Sequence, residues 1–206
     1  QVLYSGQGND MNRTLSRTFD LSGVTADEPV VMNLDAWFVI EAEWDYLYVE
    51  AARPGEPFRR LLPTDKDAIG DAESVMPSGK GHEGEGSLPG FTGRSGDLNG
   101  DGKVETADGC DPRAERTLAE DRVGGTAAVD PCEASQWINA SFDLSGFSGG
   151  EVALRFTYFT DMAAVEDGGL LDNIEIPAIG FREDFEGATL DGWDARGFTL
   201  SSGEHH

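Results

Sequence analysis

The chain has 206 residues, of which 39 are acidic and 15 basic, so its formal net charge is -24. A surface this acidic repels phosphate backbones and anionic lipids, and nucleic acid is therefore excluded as a partner. The sequence has no run of 18 apolar residues, so it predicts no membrane insertion, and its length suffices to bury a sizeable core.

The first half of the chain contains several short segments in which apolar and polar residues alternate, the pattern of half-buried strands. The clearest segment covers residues 30–40, where every second residue is apolar. A further strand begins at Tyr46, and Asp45 shares a face with its apolar residues, so we expect that carboxylate to point inward. Residues 51–96 are polar and rich in glycine and proline, which predicts loops.

A five-residue stretch, Phe-Asp-Leu-Ser-Gly, occurs at 19–23 and again at 142–146, each time before a long apolar strand. This recurrence indicates two equivalent hairpin units that face each other. Alternation also predicts strands at 137–142, 152–158 and 170–176. The sequence therefore predicts an all-β fold, an antiparallel β-sandwich with a loop-rich insertion.

Between the two strand-rich halves, residues 97–108 carry oxygen-bearing side chains at loop positions 1, 3, 5, 9 and 12, with a glycine at position 6. A hard dication such as Ca²⁺ takes about six to eight oxygens, and one short segment of this kind supplies most of them. The expected ligands are the backbone carbonyl of Lys103 and five side chains: Asp97, Asn99, Asp101, Glu105 and Asp108. A solvated acidic turn is the alternative. The stretch resembles the calcium loops of dockerins and EF-hand-like repeats, which implies these ligands but not the dockerin's partner.

The chain has two cysteines, Cys110 and Cys132, both beside this loop. In an extracellular setting rich in calcium we expect them to form a disulfide, which would stabilise the insertion by about 3 kcal/mol in the chain-entropy model. A reduced pair is the alternative, whereas a zinc site would need more soft ligands. Asp111 and Pro112 suit the N-cap and first position of a short helix.

The expected organisation places the β-sandwich in residues 1–80 and 137–180, with the insertion in 81–136. Residues 181–203 are predicted to be the first strand of a following module or an edge strand. Residues 204–206 are typical of the start of an expression tag. Because the chain has neither an initiator methionine nor a signal peptide, we expect a mature or excised segment.

Several short segments carry a family resemblance: 4–10, 19–23, 36–37 with 40–49, 90–93, 158–161 and 170–174. They resemble the non-catalytic β-domains of immune-inhibitor-A type secreted metallopeptidases. The resemblance covers roughly residues 3–50 and 137–198, and the insertion departs from the pattern. It implies a jelly-roll sandwich related to MAM domains and carbohydrate-binding modules, an extracellular location, and a zinc protease domain elsewhere in the parent protein.

The catalytic motif of that family is His-Glu-x-x-His, in which two histidines bind zinc and the glutamate acts as a base. His82 is followed by Glu83, but no second histidine stands at the required spacing. The other two histidines are His205 and His206 in the tail, so Ser-His-Asp and Cys-His catalysis also lack a base. We therefore predict a non-enzymatic segment.

A second calcium site follows from the resemblance, because jelly rolls of this kind hold a structural calcium between an early acidic turn and the last strand. The candidate ligands are Glu41, Glu43, Asp45 and Asp172. Asp172 is expected on the same face as Leu170, Ile174 and Ile176, where Arg155 or a metal ion would neutralise its charge. The alternative is a set of hydrogen-bonded carboxylates that cap strand ends.

Three functions remain open from the sequence. The first is a calcium-binding accessory domain of a secreted metallopeptidase, with other domains of the parent protein as partners and a protein or glycan surface as a docking target. The second is a carbohydrate-binding module in which Trp37, Trp44, Tyr46 and Tyr48 form an exposed stacking face. The third is an adhesive surface module. The expected cofactor is Ca²⁺.

Overall fold

The computed structural model describes residues 1–64, 89–97 and 135–202. They form two antiparallel β-sheets packed face to face, so the predicted all-β sandwich is confirmed. The short helix expected after Asp111 and both cysteines, Cys110 and Cys132, lie outside the described residues.

Sheet I contains six strands: β1 (Val2–Tyr4), β3 (Val31–Val39), β6 (Ile138–Asp143), β8 (Gly168–Ile176), β9 (Phe181–Glu183) and β11 (Thr199–Ser201). Sheet II contains five: β2 (Asn12–Asp20), β4 (Tyr46–Ala52), β5 (Arg59–Arg60), β7 (Glu151–Phe159) and β10 (Asp194–Arg196). The strand orders are β11-β1-β8-β3-β6, with β9 paired to β8, and β10-β2-β7-β4-β5. Without β9 to β11, the orders 1-8-3-6 and 2-7-4-5 are those of a jelly roll.

Strand β3 illustrates how the alternation in the sequence produces one buried face. Met32, Leu34 and Ala36 are fully buried, whereas the residues between them are partly exposed. The inner residues of both sheets meet in one hydrophobic core. Burial of one aliphatic side chain of this size contributes about 1.5–3 kcal/mol, and a slip of one residue would move every such side chain to the outer face. The hydrophobic pattern therefore determines the strand register.

The two copies of Phe-Asp-Leu-Ser-Gly form the same turn at the ends of β2 and β6. The backbone N–H of Ser22 donates to Asp20, and that of Ser145 donates to Asp143, each at 2.8 Å. The prediction of two hairpins is wrong, because each turn leads from one sheet to the other. The units β2-β3 and β6-β7 instead pair with each other, β2 with β7 and β3 with β6.

The last part of the chain closes the sandwich at its edges. Strand β9 pairs with β8, β10 with β2, and β11 with β1. Phe185, Trp193 and Phe198 in this segment are buried in the same core as the central strands. The guanidinium of Arg17 lies 4.8 Å from the centre of the Phe181 ring and 5.6 Å from that of Trp193. Within the described residues, this segment supplies edge strands to the sandwich.

A short segment, residues 89–97, lies at the end of the sandwich where β3 leads into β4. Phe91 exchanges backbone hydrogen bonds with Leu47 at 2.9 and 3.0 Å. Two residues further on, the carbonyl of Gly93 accepts a hydrogen bond from Ile40, and Ser95 Oγ accepts one from the N–H of Phe38. The segment thus bonds to one strand of each sheet beside the β3-β4 turn.

Candidate metal site

Three carboxylates from distant parts of the chain meet at this end of the sandwich. Glu41 and Asp45 belong to the turn between β3 and β4, and Asp161 follows the end of β7. Strands β4 and β7 pair with Tyr46 opposite Phe159, which brings Asp45 beside Asp161. One carboxylate oxygen from each of the three lies within 4.8 Å of the others.

Backbone hydrogen bonds hold the β3-β4 turn in a compact form. The N–H groups of Trp44 and Asp45 donate to the carbonyl of Glu41 at 3.3 and 3.0 Å. Thr92 Oγ1 accepts from the N–H of Glu43 at 2.8 Å and donates to the same Glu41 carbonyl at 3.1 Å. Glu43 itself has a φ of 68°, a left-handed conformation that closes the turn. These contacts keep Glu41 and Asp45 close together.

Asp161 is joined directly to this turn. Its backbone N–H donates to Asp45 Oδ1 at 2.9 Å, and its own Oδ1 accepts from the N–H of Ala163 at 2.8 Å. The side chains of Asp45 and Asp161 are almost fully buried, with 1% and 7% of the residue surface exposed. The expectation that Asp45 points inward is therefore confirmed.

The electrostatics of this cluster favour an added positive charge. Burial raises the pKa of Asp45 to about 6, and the neighbouring Asp161 and Glu41 add to the shift, while the N–H of Asp161 opposes it. Burial also raises the pKa of Glu41, together with repulsion from Asp161 and Glu166. In the described part of the chain, no ion pair involves Glu41, Asp45 or Asp161.

One oxygen of the cluster stands out. Oε2 of Glu41 is buried and has no hydrogen-bond partner among the described residues. A buried carboxylate oxygen without a partner costs free energy, and a cation among the three carboxylates would satisfy it. All donors here are oxygens, which are the ligands of Ca²⁺ and other hard dications. The residues present therefore fit a hard cation, with Glu41, Asp45 and Asp161 as its side-chain ligands.

The other two carboxylates of the predicted second site lie elsewhere. The side chain of Glu43 is exposed on the turn and does not join the cluster, although its backbone helps to build it. Asp172 lies in β8 opposite Asp35 of β3, on the outer face of sheet I. Among the described residues, the cluster within 4.8 Å contains neither Glu43 nor Asp172.

Asp172 shares a face with Leu170 as expected, but not with Ile174 and Ile176, because β8 contains a bulge. Between Asn33 and Asp35 the register of β8 shifts by one extra residue, and Asn173 at the bulge has a φ of 46°. Leu171 and Ile174 therefore both enter the core, while Asp172 points outward. The half-buried Asp172 accepts a hydrogen bond from the N–H of Asn173 at 2.8 Å, and burial raises its pKa.

Arg155 does not neutralise Asp172. Its Nε donates to Glu50 Oε2 at 2.7 Å on the outer face of sheet II, and its guanidinium lies 3.9 Å from the centre of the Phe58 ring. Thr157 Oγ1 also donates to the same Glu50 oxygen at 2.7 Å. This arginine therefore serves a different carboxylate on the opposite sheet.

Of the predicted calcium loop, only Asp97 belongs to the described residues. It is buried, and its N–H donates to the carbonyl of Arg94 at 3.3 Å. Asn99, Asp101, Lys103, Glu105 and Asp108 lie outside the described residues, so the loop stays a prediction. Asp97 is the last residue of the segment 89–97 that bonds to β3 and β4.

The predicted stacking face of four aromatic residues is wrong. Tyr46 and Tyr48 stack on each other with ring centres 5.5 Å apart, but both are buried on sheet II. Trp37 belongs to sheet I, and Trp44 lies in the β3-β4 turn. Since these four residues are divided between two sheets and a turn, they do not form one surface.

Comparison with known proteins finds similar segments in two kinds of bacterial protein. Over 94 residues the chain is 42% identical to Immune inhibitor A of Bacillus thuringiensis subsp. alesti. The aligned region is 43% of this chain and 13% of that protein. Over 203 residues, 98% of the chain, it is 23% identical to the Pre-pro-metalloprotease PrtV of Vibrio cholerae serotype O1, of which it covers 16%. The chain thus spans less than a fifth of the length of these relatives. No family model matches it.

These matches support a segment of a larger protein of the Immune inhibitor A and PrtV kind. Both relatives extend far beyond the aligned region, so this chain aligns with only a small part of each. Within the described residues, no helix has the length and apolar character needed to cross a bilayer.

Proposed function

We propose that the chain is a non-catalytic, calcium-binding accessory domain of an extracellular metalloprotease. The observation that carries this proposal is the cluster of Glu41, Asp45 and Asp161, with oxygens within 4.8 Å of one another and one buried oxygen without a partner. Three carboxylates so close together repel one another strongly unless a cation lies among them.

Calcium at this position would neutralise the cluster and hold two loops together. Glu41 and Asp45 lie in the β3-β4 turn, whereas Asp161 begins the connection between β7 and β8. A cation bound to all three would therefore link residues that are more than a hundred positions apart in the chain. An ion that binds the folded state and not the unfolded chain would stabilise the fold by mass action.

Another calcium ion is proposed in the loop 97–108, on the evidence of its ligand spacing. Support comes from the position of Asp97, the last residue of the segment 89–97, which is bonded to the ends of β3 and β4. Calcium in the loop would then stabilise the start of the insertion against the sandwich. The disulfide between Cys110 and Cys132 would restrict the same insertion further.

The absence of a catalytic role rests on the sequence. Of its three histidines, two are the last residues of the chain, and His82 lacks the partner that a His-Glu-x-x-His motif requires. We infer that catalysis belongs to another part of the parent protein, and that the partners of this domain are the neighbouring domains and the surface or substrate on which the enzyme acts. The parent reading frame should contain His-Glu-x-x-His upstream of this segment.

Thermal unfolding with calcium or a chelator tests the site formed by Glu41, Asp45 and Asp161. Calcium at about 100 times its Kd stabilises a single site by about 2.7 kcal/mol, which corresponds to a rise in Tm of roughly 5–11 °C for a domain of this size. Asp161→Asn keeps the oxygen that accepts from Ala163 but removes the charge, so it should abolish this site's share of the rise. Glu43→Gln, a change on the same turn outside the cluster, is the matched control and should retain it.

Isothermal titration separates the two sites. Wild type should bind two calcium ions, Asp161→Asn one, and Asp101→Ala, which removes the ligand oxygens at loop position 5, the other one. If Asp161→Asn and Glu43→Gln respond to calcium equally, the cluster does not bind calcium and the proposal for this site is wrong. If Asp101→Ala leaves the stoichiometry unchanged, the loop 97–108 is an ordinary acidic turn.

A further inference from the structure

The outer face of sheet I carries two adjacent rows of side chains that the proposed function does not use. In one row, Trp37 of β3 has as its neighbours Leu170 of β8 and, one residue beyond the last paired residue of β6, Trp137. In the next row, Asp35 has as its neighbours Asn139 of β6 and Asp172 of β8. An aromatic row thus lies beside a row of amides and carboxylates. The two rows form part of the outer face of sheet I.

The polar row is connected by its own hydrogen bonds. Asp35 Oδ1 accepts from Asn139 Nδ2 at 3.0 Å, and Asp35 Oδ2 accepts from Asn173 Nδ2 at 2.8 Å. Asp35 therefore fixes the orientation of both amides. Within the described part of the chain, the side-chain Oδ1 atoms of Asn139 and Asn173 accept no hydrogen bond, so they are available to a ligand's hydroxyl groups.

The aromatic row contains one exposed and one oriented ring. Trp137 exposes 46% of its surface and is one of the few large apolar side chains exposed among the described residues. Trp37 is half-buried, and its Nε1 donates to the carbonyl of Ser135 at 3.0 Å, which holds the ring in place. Flat aromatic rings at a solvent-facing position provide apolar area with little loss of conformational entropy on binding.

The bulge in β8 adds a residue to this face. Because Asn173 adopts a φ of 46°, Asp172 and Asn173 both remain partly exposed although they are consecutive in a strand. A regular strand would direct one of them into the core. Left-handed non-glycine residues within strands are uncommon, and bulges often redirect side chains at binding sites.

We propose that the outer face of sheet I binds a neutral oligosaccharide through Trp137, Asn139 and Asn173. A sugar ring presents an apolar C–H face to an aromatic ring and hydroxyl groups to amides at its edge, which matches the two rows. The three strands β6, β3 and β8 span about 10 Å, enough for a short oligosaccharide. The carboxylates of Asp35 and Asp172, in a chain of net charge -24, would repel an acidic polysaccharide.

This inference is independent of the calcium proposal, since the two sites share no residue. It also differs from a stacking face on Tyr46 and Tyr48, which are buried on the other sheet. Asp35 acts here as a positioning residue, because both of its oxygens are occupied by the amides that it orients.

Binding of the full chain to neutral glycans tests the proposal. The probes are xylan, mixed-linkage β-glucan, mannan and chitooligosaccharides, with polygalacturonate and heparin as acidic comparisons, all measured in calcium. Wild type should bind at least one neutral probe and neither acidic one. Trp137→Ala and Asn139→Ala should each weaken that binding by about tenfold, and Trp137→Phe should retain most of it.

Met162→Ala is the matched control, because it removes a highly exposed apolar side chain from the β7-β8 connection, outside this face. It should bind as wild type does. Thermal unfolding of every variant checks that the fold is retained. If wild type binds no neutral probe, or if Trp137→Ala and Asn139→Ala bind as tightly as Met162→Ala, the proposal is overturned.

Discussion

At the scale of single residues, the candidate metal site is a problem of charge in a buried place. Asp45 is almost fully buried, and its two nearest charged neighbours, Glu41 and Asp161, carry the same sign. Without a cation, the fold stabilises the protonated form of Asp45, which is why its pKa rises to about 6. Calcium and protons should therefore compete for the same carboxylates.

The first prediction concerns stability against pH in chelator. Because the pKa of Asp45 is about 6 in the folded protein and ordinarily 3.8, the folded state binds more protons between these values, and stability falls as pH rises through this window. The loss is on the order of 3 kcal/mol and becomes constant about one pH unit above the folded pKa. Asp45→Asn has no such titration, so the difference in unfolding free energy between this variant and wild type should grow from pH 4 to pH 6.5.

The comparison with Asp45→Asn is needed because the protein has 39 acidic residues whose mutual repulsion also weakens at low pH. Urea unfolding at several pH values provides the measurement. A difference between wild type and Asp45→Asn that does not change over this range would contradict the raised pKa.

The second prediction concerns calcium affinity. Since binding requires charged carboxylates, lowering the pH from 7.5 to 5 should weaken calcium binding at the cluster. For the same reason, calcium binding at pH 6 should release protons. Titration in two buffers of different ionisation enthalpy measures those protons. Asp161→Asn should release fewer of them, and equal proton release from both proteins would show that the ion binds elsewhere.

At the scale of secondary-structure elements, β8 is the strand whose local sequence is most misleading. Its sequence is Gly-Gly-Leu-Leu-Asp-Asn-Ile-Glu-Ile. A regular alternation would place Leu170, Asp172 and Ile174 on one face. The extra residue at Asn173 changes the face midway, so that Leu171 and Ile174 are both in the core. Asparagine tolerates the left-handed conformation, and its presence in an apolar strand was the available signal for a bulge.

The third prediction follows from this bulge. Asn173→Ala loses the hydrogen bond to Asp35 and also meets strain at a φ of 46°, and together these should cost about 2 kcal/mol. Asn173→Gly loses the same hydrogen bond but accepts the backbone conformation, so it should be less destabilised than the alanine variant. Urea unfolding of both variants provides the test. If alanine is tolerated better than glycine, the strand has no bulge at this residue in solution.

The repeated turn shows what a local pattern can and cannot reveal. Leu21 and Leu144 occupy equivalent places, since both are fully buried, and their N–H groups donate to Gly150 and Val30 at 2.8 Å. The sequence repeat correctly predicted two equivalent units. It could not show that each unit connects two sheets, because the alternation of a strand does not identify its neighbour.

At the scale of the whole molecule, the fold class was predictable because alternation is a local property that many segments share. The composition of the metal cluster was not, because the partner of Asp45 lies 116 residues away and pairs through β4 and β7. Asp161 was missed for this reason, although it directly follows a clear strand. Glu43 and Asp172 were included by resemblance, and only the strand pairing shows that their side chains lie apart from the cluster.

The C-terminal segment provides the last prediction. Trp193 contacts the rings of Phe19, Phe181 and Phe185 at centre distances of 6.1, 6.5 and 6.3 Å, and its Nε1 donates to Glu183 at 3.3 Å. Removing such a buried ring costs about 3–5 kcal/mol, because a cavity remains in the core. Trp193→Ala should therefore lower the Tm by roughly 6–20 °C.

The control for this prediction is Trp137→Ala, which removes the same side chain from an exposed position. Its stability should stay within about 1 kcal/mol of wild type, since it loses little buried area. If residues 181–201 belonged to a separate module that only touches the sandwich, both variants would unfold at nearly the wild-type temperature. A large loss for Trp193→Ala alone requires that these edge strands share the core, because only a residue packed between the sheets can transmit its loss to the cooperative unfolding of both.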